Sequence, residues 1–318
     1  MEGIDAGRAR RLIWRARPRM RVLTKRDKWV IAALLGIPLL ADLVFIWFPA
    51  ISSVVLSFTD WSGVGGISSI NFIGTANYSY AFHIDPQFWP AVEHNFIWLG
   101  VFVGFATPLG MLFAVLIDRN LRGSRIYQTV LFLPVMLSLA LIGLIWEMIY
   151  SPNYGLVNSV LGRTANNNLI DWLGNPHLNL WAVLVAASWR QAGYVMVLYL
   201  AGLKAVEPSL REAAVIDGAG AWTTFRRIIF PVMKPINVVI LVVTIIESLR
   251  AFDLVYIMGG GTILPGLELL SMVITTNIVG ETTRIGYGST IAVVLLVISL
   301  VPICSFLYAT FRREARPQ

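Results

Sequence analysis

The chain has 318 residues, of which 57% are hydrophobic and 14% charged, with a formal net charge of +7. A soluble domain carries roughly 25% charged residues, so the solvated surface of one is missing here and the deficit points to lipid. The single cysteine, Cys304, excludes an internal disulfide framework.

Ten Lys/Arg crowd residues 1–28, ahead of a first apolar run that is too long for a cleavable signal and has no cleavage pattern. A mobile, Arg-rich tail is expected there. Six apolar segments of spanning length follow, at about 29–50, 95–117, 128–150, 181–203, 236–258 and 289–310. The predicted fold class is therefore all-α and integral to the membrane, with the six spans in a domain over 29–312 and a short tail at 313–318.

The cations are unevenly placed. Residues 1–28, the 118–127 loop (Arg119, Arg122, Arg125), the 204–235 segment and the end beyond 310 hold 21 of the 25 Lys/Arg. Segments 51–94, 151–180 and 259–288 hold only Arg163 and Arg284. The positive-inside rule then puts both termini in the cytoplasm. The basic balance reports topology, with the lipid bilayer as partner and no nucleic acid implied. The opposite loops carry turn chemistry ("DWSGVGG", "SPNYG", "NNN", "GGG"). Trp29, Trp47, Trp61, Trp89, Trp98, Trp181 and Tyr150 sit near segment ends, as interfacial anchors do.

Catalytic constellations are missing. None of the four lysines (Lys25, Lys28, Lys204, Lys234) follows a glycine, which excludes a P-loop. There is no HExxH, Cys/His cluster or GxSxG elbow. His83, His94 and His177 read as solvated or interfacial. No enzyme activity, cofactor or metal is expected in this chain.

One segment is out of keeping with the rest: "EAAVIDGAGAWTTFRRIIFPVMKP", residues 212–235, mixed and charged between two apolar runs. Ala213 to Ile216 favour a short helix that Gly218 is placed to stop. A second short helix follows with Trp222, Phe225 and Ile229 on one stripe, and Pro231 and Pro235 break it. Two short helices on the cytoplasmic face could be an ordinary interfacial loop. They also suit a partner's groove, because small side chains admit a close backbone and Glu212 and Asp217 can accept N–H groups.

Charges inside spans are costly and tend to face a cavity or a partner. The fourth span holds Trp189, Arg190, Gln191 and Tyr194, and the fifth holds Glu247, Arg250 and Asp253 at i, i+3, i+6 on one broad helix face. At about 1.5 Å per residue, Arg190 and Glu247 fall at one depth near mid-membrane. Such a polar layer could line a water-filled path, or the three fifth-span charges could neutralise one another. Asp42 in the first span is a weaker candidate. Glu247 or Asp253 could also be the proton site of a self-contained secondary transporter.

The spacing Glu212-Ala213-Ala214, three residues, Gly218, nine residues, Ile228-x-Phe230-Pro231 resembles the EAA signature of ABC-importer permeases, with Phe230 where the pattern usually has Leu. "PAISSVVLSFTDW", "NFIGTANY", "DPQFW", "LRGSRIYQTVLFLP", "SPNYGLVNSVL" and "FDLVYIMGGG", in that order, resemble the carbohydrate-uptake branch, and within it the first permease subunit of maltose- and glycerol-phosphate-type systems. Met258 departs from the Thr usual before the glycines of the last motif, and Pro265 comes later than usual.

The resemblance implies a type I ABC-importer transmembrane domain in the cytoplasmic (inner) membrane. Residues 207–235 become its coupling segment, with Glu212, Ala213, Ala214, Asp217, Gly218 and Pro231 docking an ATPase that binds ATP and Mg itself. It also implies a second permease subunit, two ATPase subunits, an extracytoplasmic solute-binding protein, and a sugar, oligosaccharide, polyol or glycerol phosphate as cargo. Family sugar contacts fall in the same two spans, which puts Arg190, Gln191, Tyr194 and Arg250 on the substrate path.

Overall fold

The computed structural model describes residues 24–119, 122–163, 168–280 and 283–314. Most of the expected N-terminal tail, 1–23, lies outside these residues, as do 120–121 of the 118–127 loop and 315–318. Among the described residues the secondary structure is helical, apart from one isolated bridge between Thr59 and Phe72.

Helix α1 (Lys25–Leu56) begins inside the stretch the sequence assigned to the tail. Thr24 caps it by accepting from the Asp27 N–H at 3.2 Å, and the Asp27 carboxylate accepts from the Thr24 N–H at 3.0 Å. A wider π turn follows at Leu43–Trp47, where Asp42 accepts the Trp47 indole N–H at 3.1 Å. The chain divides into two compact units after Ser52, and no residue of α1 is buried.

The larger unit continues with α2 (Ala76–His83) and α3 (Phe88–Asp118), the latter with a π turn at Phe102–Ala106. Two helices, α4 (Ser124–Met136) and α5 (Leu139–Tyr150), stand where the sequence suggests one span at 128–150. Extended backbone at Leu137 and Ser138 bends the chain by 102°, and the Ser138 hydroxyl restarts the helix by accepting from the Leu141 N–H at 3.2 Å. Helix α6 (Leu156–Val160) and the 27-residue α7 (Asn179–Ala205) follow.

Helix α7 is the axis of the core. Its Ala186, Ala187, Ala192 and Gly193 are buried, and both α3 and α4 pack on it. A Cβ on Gly193 would sit 2.3 Å from the Leu131 carbonyl oxygen of α4, so the missing side chain sets how near the two backbones come. One core cluster surrounds the first half of α7 (Trp98, Ile142, Leu184, Leu254) and another the second half (Ala114, Val195, Met196, Ile240).

Beyond α7 come α8 (Pro208–Ile216), α9 (Ala221–Val232), α10 (Lys234–Leu249), α11 (Asp253–Met258), α12 (Leu270–Val279) and α13 (Ile285–Glu314). The sequence places breaks at both Pro231 and Pro235, but only the second occurs. Helix α9 passes through Pro231 after widening into a π turn at Phe225–Ile229, which eases the contact between the proline ring and the Arg227 carbonyl. The turn comes at Met233, and Ala221–Val232 is bent by 76° against Lys234–Met258. Four helices are long and apolar enough to cross a membrane (α1, α3, α7 and Ile285–Ser305 of α13), or six if each bent pair counts as one span.

Two expected anchors are core residues instead. Trp98 is 2% exposed, and Tyr150 is 5% exposed with its hydroxyl donating to the Ala182 carbonyl at 3.1 Å. His94 is also not solvated: its Nδ1 lies 2.9 Å from the Glu268 carbonyl and 3.4 Å from the Glu268 carboxylate.

Candidate functional site

Helix α7 buries most of its length, yet it carries Arg190 near its middle. The guanidinium reaches across to α10, where its Nη1 lies 3.7 Å from the Glu247 carboxylate. A cavity of about 220 Å³ opens beside this pair, lined by Arg190, Glu247, Arg250 and Asp253 and by Trp98 and Phe102 of α3. Two cations and two carboxylates thus meet in one space, drawn from different helices.

The three fifth-span charges do not share one helix face. Helix α10 ends at Leu249, Arg250 caps it at φ −89° and ψ 5°, and Asp253 opens α11 after a non-helical Ala251-Phe252. They do not neutralise one another either. Glu247 pairs with Arg190, and among the described residues Arg250 and Asp253 form no ion pair. Both are exposed.

The other fourth-span candidates lie off the cavity. Gln191 is 1% exposed and donates to the Thr244 hydroxyl at 3.4 Å, with its own carbonyl oxygen unpartnered. Trp189 packs edge-on against Trp146, centroids 5.9 Å apart. Tyr194 is half-buried and is not among the lining residues.

Phe102 lines the cavity without having been singled out in the sequence, and Trp98, expected as an interfacial anchor, lines it too. Their only signal is apolar spacing within a span, which core and cavity residues share. The indole N–H of Trp98 and the Nε–H of Arg190 are both buried donors without a partner. Such donors carry a desolvation cost.

A second feature lies past the far end of α7. Helix α8 closes in a full Schellman turn: Gly218 takes φ +74°, its N–H donates to the Val215 carbonyl at 3.0 Å, and the Ala219 N–H donates to the Ala214 carbonyl at 2.9 Å. Glu212, Ala213, Asp217 and Gly218 are exposed around this turn and Ala214 is buried, while Pro231 stands apart on α9. Val215 and Ile216 are 72% and 85% exposed, apolar surface that the chain itself leaves uncovered. Sequence reasoning passes over Arg211, which fixes α8 in place. Its guanidinium donates to the Asp118 carboxylate of α3 at 2.7 Å and to the Leu203 carbonyl of α7 at 2.9 Å.

Comparison with known proteins identifies relatives of the chain. Residues 106–317 match the family described as "Binding-protein-dependent transport system inner membrane component". The xylose/arabinose import permease protein XacH of Haloferax volcanii is 33% identical over 282 residues, covering 87% of each chain. The trehalose/maltose transport system permease protein MalF of Thermococcus litoralis is 31% identical over 84% of this chain and 89% of that one. A crystal structure of a bacterial ABC transporter involved in the import of the acidic polysaccharide alginate superimposes with a TM-score of 0.78 over 92% of this chain and 98% of that chain, at 23% identity. That likeness establishes the fold as an ABC-importer transmembrane domain of type I. With two thirds of its length inside the family match and relatives aligned almost end to end, the chain belongs to the inner-membrane components of binding-protein-dependent transport systems.

Proposed function

We propose that this chain is one of two permease subunits of an ATP-driven importer, seated in the inner membrane with both termini in the cytoplasm. A second permease subunit completes the path. Two ATPase subunits bind ATP and Mg and supply the motion, and an extracytoplasmic solute-binding protein delivers the cargo. The cargo is a sugar, oligosaccharide or related polyol.

The cavity beside Arg190 and Glu247 carries the cargo reading. Its formal charges balance, its aromatic wall offers ring faces, and its two arginines offer N–H donors. A neutral polyhydroxyl ligand provides oxygens for such donors and C–H faces for such rings. Relatives named for xylose/arabinose and trehalose/maltose transport support the same class. Arg250, exposed and without an ion pair among the described residues, favours a second reading in which the cargo is glycerol phosphate or another anion.

The Schellman-capped elbow is the receiving surface for the ATPase. Glu212 and Asp217 offer carboxylates, Ala213 allows close backbone approach, and Val215 and Ile216 offer apolar surface. Closure of the ATPase pair would push 212–231 and alternate access to the cavity.

The test is ATP hydrolysis and uptake in liposomes holding this chain, its partner subunits and the binding protein, across a panel of sugars, polyols and glycerol phosphates. Stimulation by a neutral member is expected, and stimulation only by phosphates would move the cargo to the second reading. Uptake by this chain alone, driven by a proton gradient through Glu247 or Asp253, would overturn the importer reading. Within the same assay Gly218→Val should cut uptake about tenfold or more with membrane insertion intact, because a β-branched residue in the left-handed region costs about 1–2 kcal/mol.

A further inference from the structure

The turn joining α3 to α4 carries three arginines, Arg119, Arg122 and Arg125. All three are exposed, and among the described residues none is in an ion pair. Directly beside this turn lies an apolar groove of about 360 Å³. Phe113, Leu116 and Ile117 of α3 form one wall, and Tyr127, Val130 and Leu131 of α4 form the other. Helices α3 and α4 pack mainly on α7 and touch one another less.

We propose that this groove is a binding site for an anionic phospholipid, with one acyl chain between α3 and α4 and the phosphate at Arg119, Arg122 and Arg125. The order of chemistry along α4 matches that molecule. Arg125 sits in the first turn with Ser124 beside it, Tyr127 comes next with its amphipathic ring at headgroup level, and Val130 and Leu131 lie about 8 Å beyond Arg125 along the helix. Water has no reason to fill the groove, because its largely apolar walls offer few hydrogen bonds. A neutral lipid would leave three cations unanswered at its mouth. Basic pockets between spans on the cytoplasmic side are where anionic headgroups are drawn, and that leaflet carries the negative surface potential. Placing the turn in that leaflet rests on the orientation proposed above; the groove and its charges do not.

The test is lipid retention by the full chain, purified with its partner subunits and read by native mass spectrometry, using phosphatidylglycerol and phosphatidylcholine of matched chains. Each arginine near the headgroup is worth about fivefold, so the unaltered protein should prefer phosphatidylglycerol by about a hundredfold. The triple variant Arg119→Gln/Arg122→Gln/Arg125→Gln should lose that preference. Val130→Trp, which fills the groove and leaves the charges, should lower retention of phosphatidylglycerol. Equal retention of both lipids by the unaltered protein would overturn the proposal, as would a preference that survives neutralisation or retention that ignores Val130→Trp. A disulfide formed by Tyr127→Cys with a cysteine scanned through the second permease subunit would also overturn it, since a protein helix would then occupy the groove. Retention is read without transport, so an inactive reconstitution leaves the lipid site standing, and loss of the lipid leaves the cargo reading standing.

Discussion

Helices α1 and α7 both have the length and composition to cross a membrane, yet the chain treats them in opposite ways. In the most apolar stretch of α1 no residue is buried, whereas two thirds of the corresponding stretch of α7 is. The more hydrophobic helix is the less buried one. Lipid is as apolar as leucine, so hydropathy alone gives a span no reason to enter the protein's core. What draws neighbours onto α7 is its run of small residues and its polar groups, which need partners that lipid cannot offer. Leu34, Leu35, Leu39, Leu40 and Phe45 leave α1 bulky on all sides, suited to lipid or to another subunit.

The sharpest test of that contrast is a paired glycine substitution. In α7, Gly193→Leu drives a side chain into the Leu131 carbonyl, a backbone atom that cannot swing away. Overpacking of this kind costs about 3 kcal/mol, enough to remove the monodisperse protein from detergent extracts. In α1, Gly36→Leu meets nothing within 4 Å, and the stability of the chain should stay within about 0.5 kcal/mol. Thermal midpoints of the two variants, followed by size-exclusion chromatography, check both. Equal losses would mean that α1 is packed as α7 is, and the comparison would fail.

The same contrast explains what was legible in the sequence. Apolar length marks the long helices α1, α3, α7 and α13 but not the breaks that split 128–150 and 236–258, and Arg190 and Glu247 can be placed level because the rise per residue is fixed. Trp98 and Tyr150 were misjudged as anchors because a pattern of apolar residues does not distinguish a side chain facing lipid from one facing α7. The helix break at Arg250-Ala251-Phe252 has neither glycine nor proline to announce it. At the break the Ala251 carbonyl accepts from the Ser271 hydroxyl, far away in sequence, and Leu254 and Val255 are buried just beyond. The bend after Met136 was visible only as Pro134 and Ser138, ordinary residues until the capping geometry is known. Arg211 was hidden because its partner, Asp118, is far away in sequence.

A smaller effect is expected from the polar centre of α7. The Arg190–Glu247 contact at 3.7 Å is long, and the two side chains are 23% and 35% exposed, so solvent screening limits its stabilisation to about 1 kcal/mol. Arg190→Met should therefore destabilise modestly while lowering uptake about tenfold per inserted copy, a loss the size of one charge-assisted hydrogen bond to cargo. The pair Arg190→Met/Glu247→Met separates the two roles. Stability should return, since no charge is left uncompensated, and uptake should not. Uptake that returned along with stability would reduce the ion pair to packing and make α7 a core helix like any other.

The smallest effect belongs to the lower end of α7, where Arg211 joins three helices. Its ion pair with Asp118 is partly solvated, and Arg211→Gln should cost no more than about 1 kcal/mol of stability. The expected signature lies in coupling, because Arg211 links the exposed α8 to the buried α7 through the Leu203 carbonyl and to α3 through Asp118. In the reconstituted transporter ATP hydrolysis should persist, while cargo moved per ATP falls by about fivefold, the equivalent of that lost contact. Exchanging the charges, Asp118→Arg with Arg211→Asp, restores the ion pair but not the bond to Leu203. Partial recovery would assign the remaining deficit to the tie with α7. Full recovery would place the transmission in α3 alone, and the burial of α7 would then serve the fold without serving the stroke.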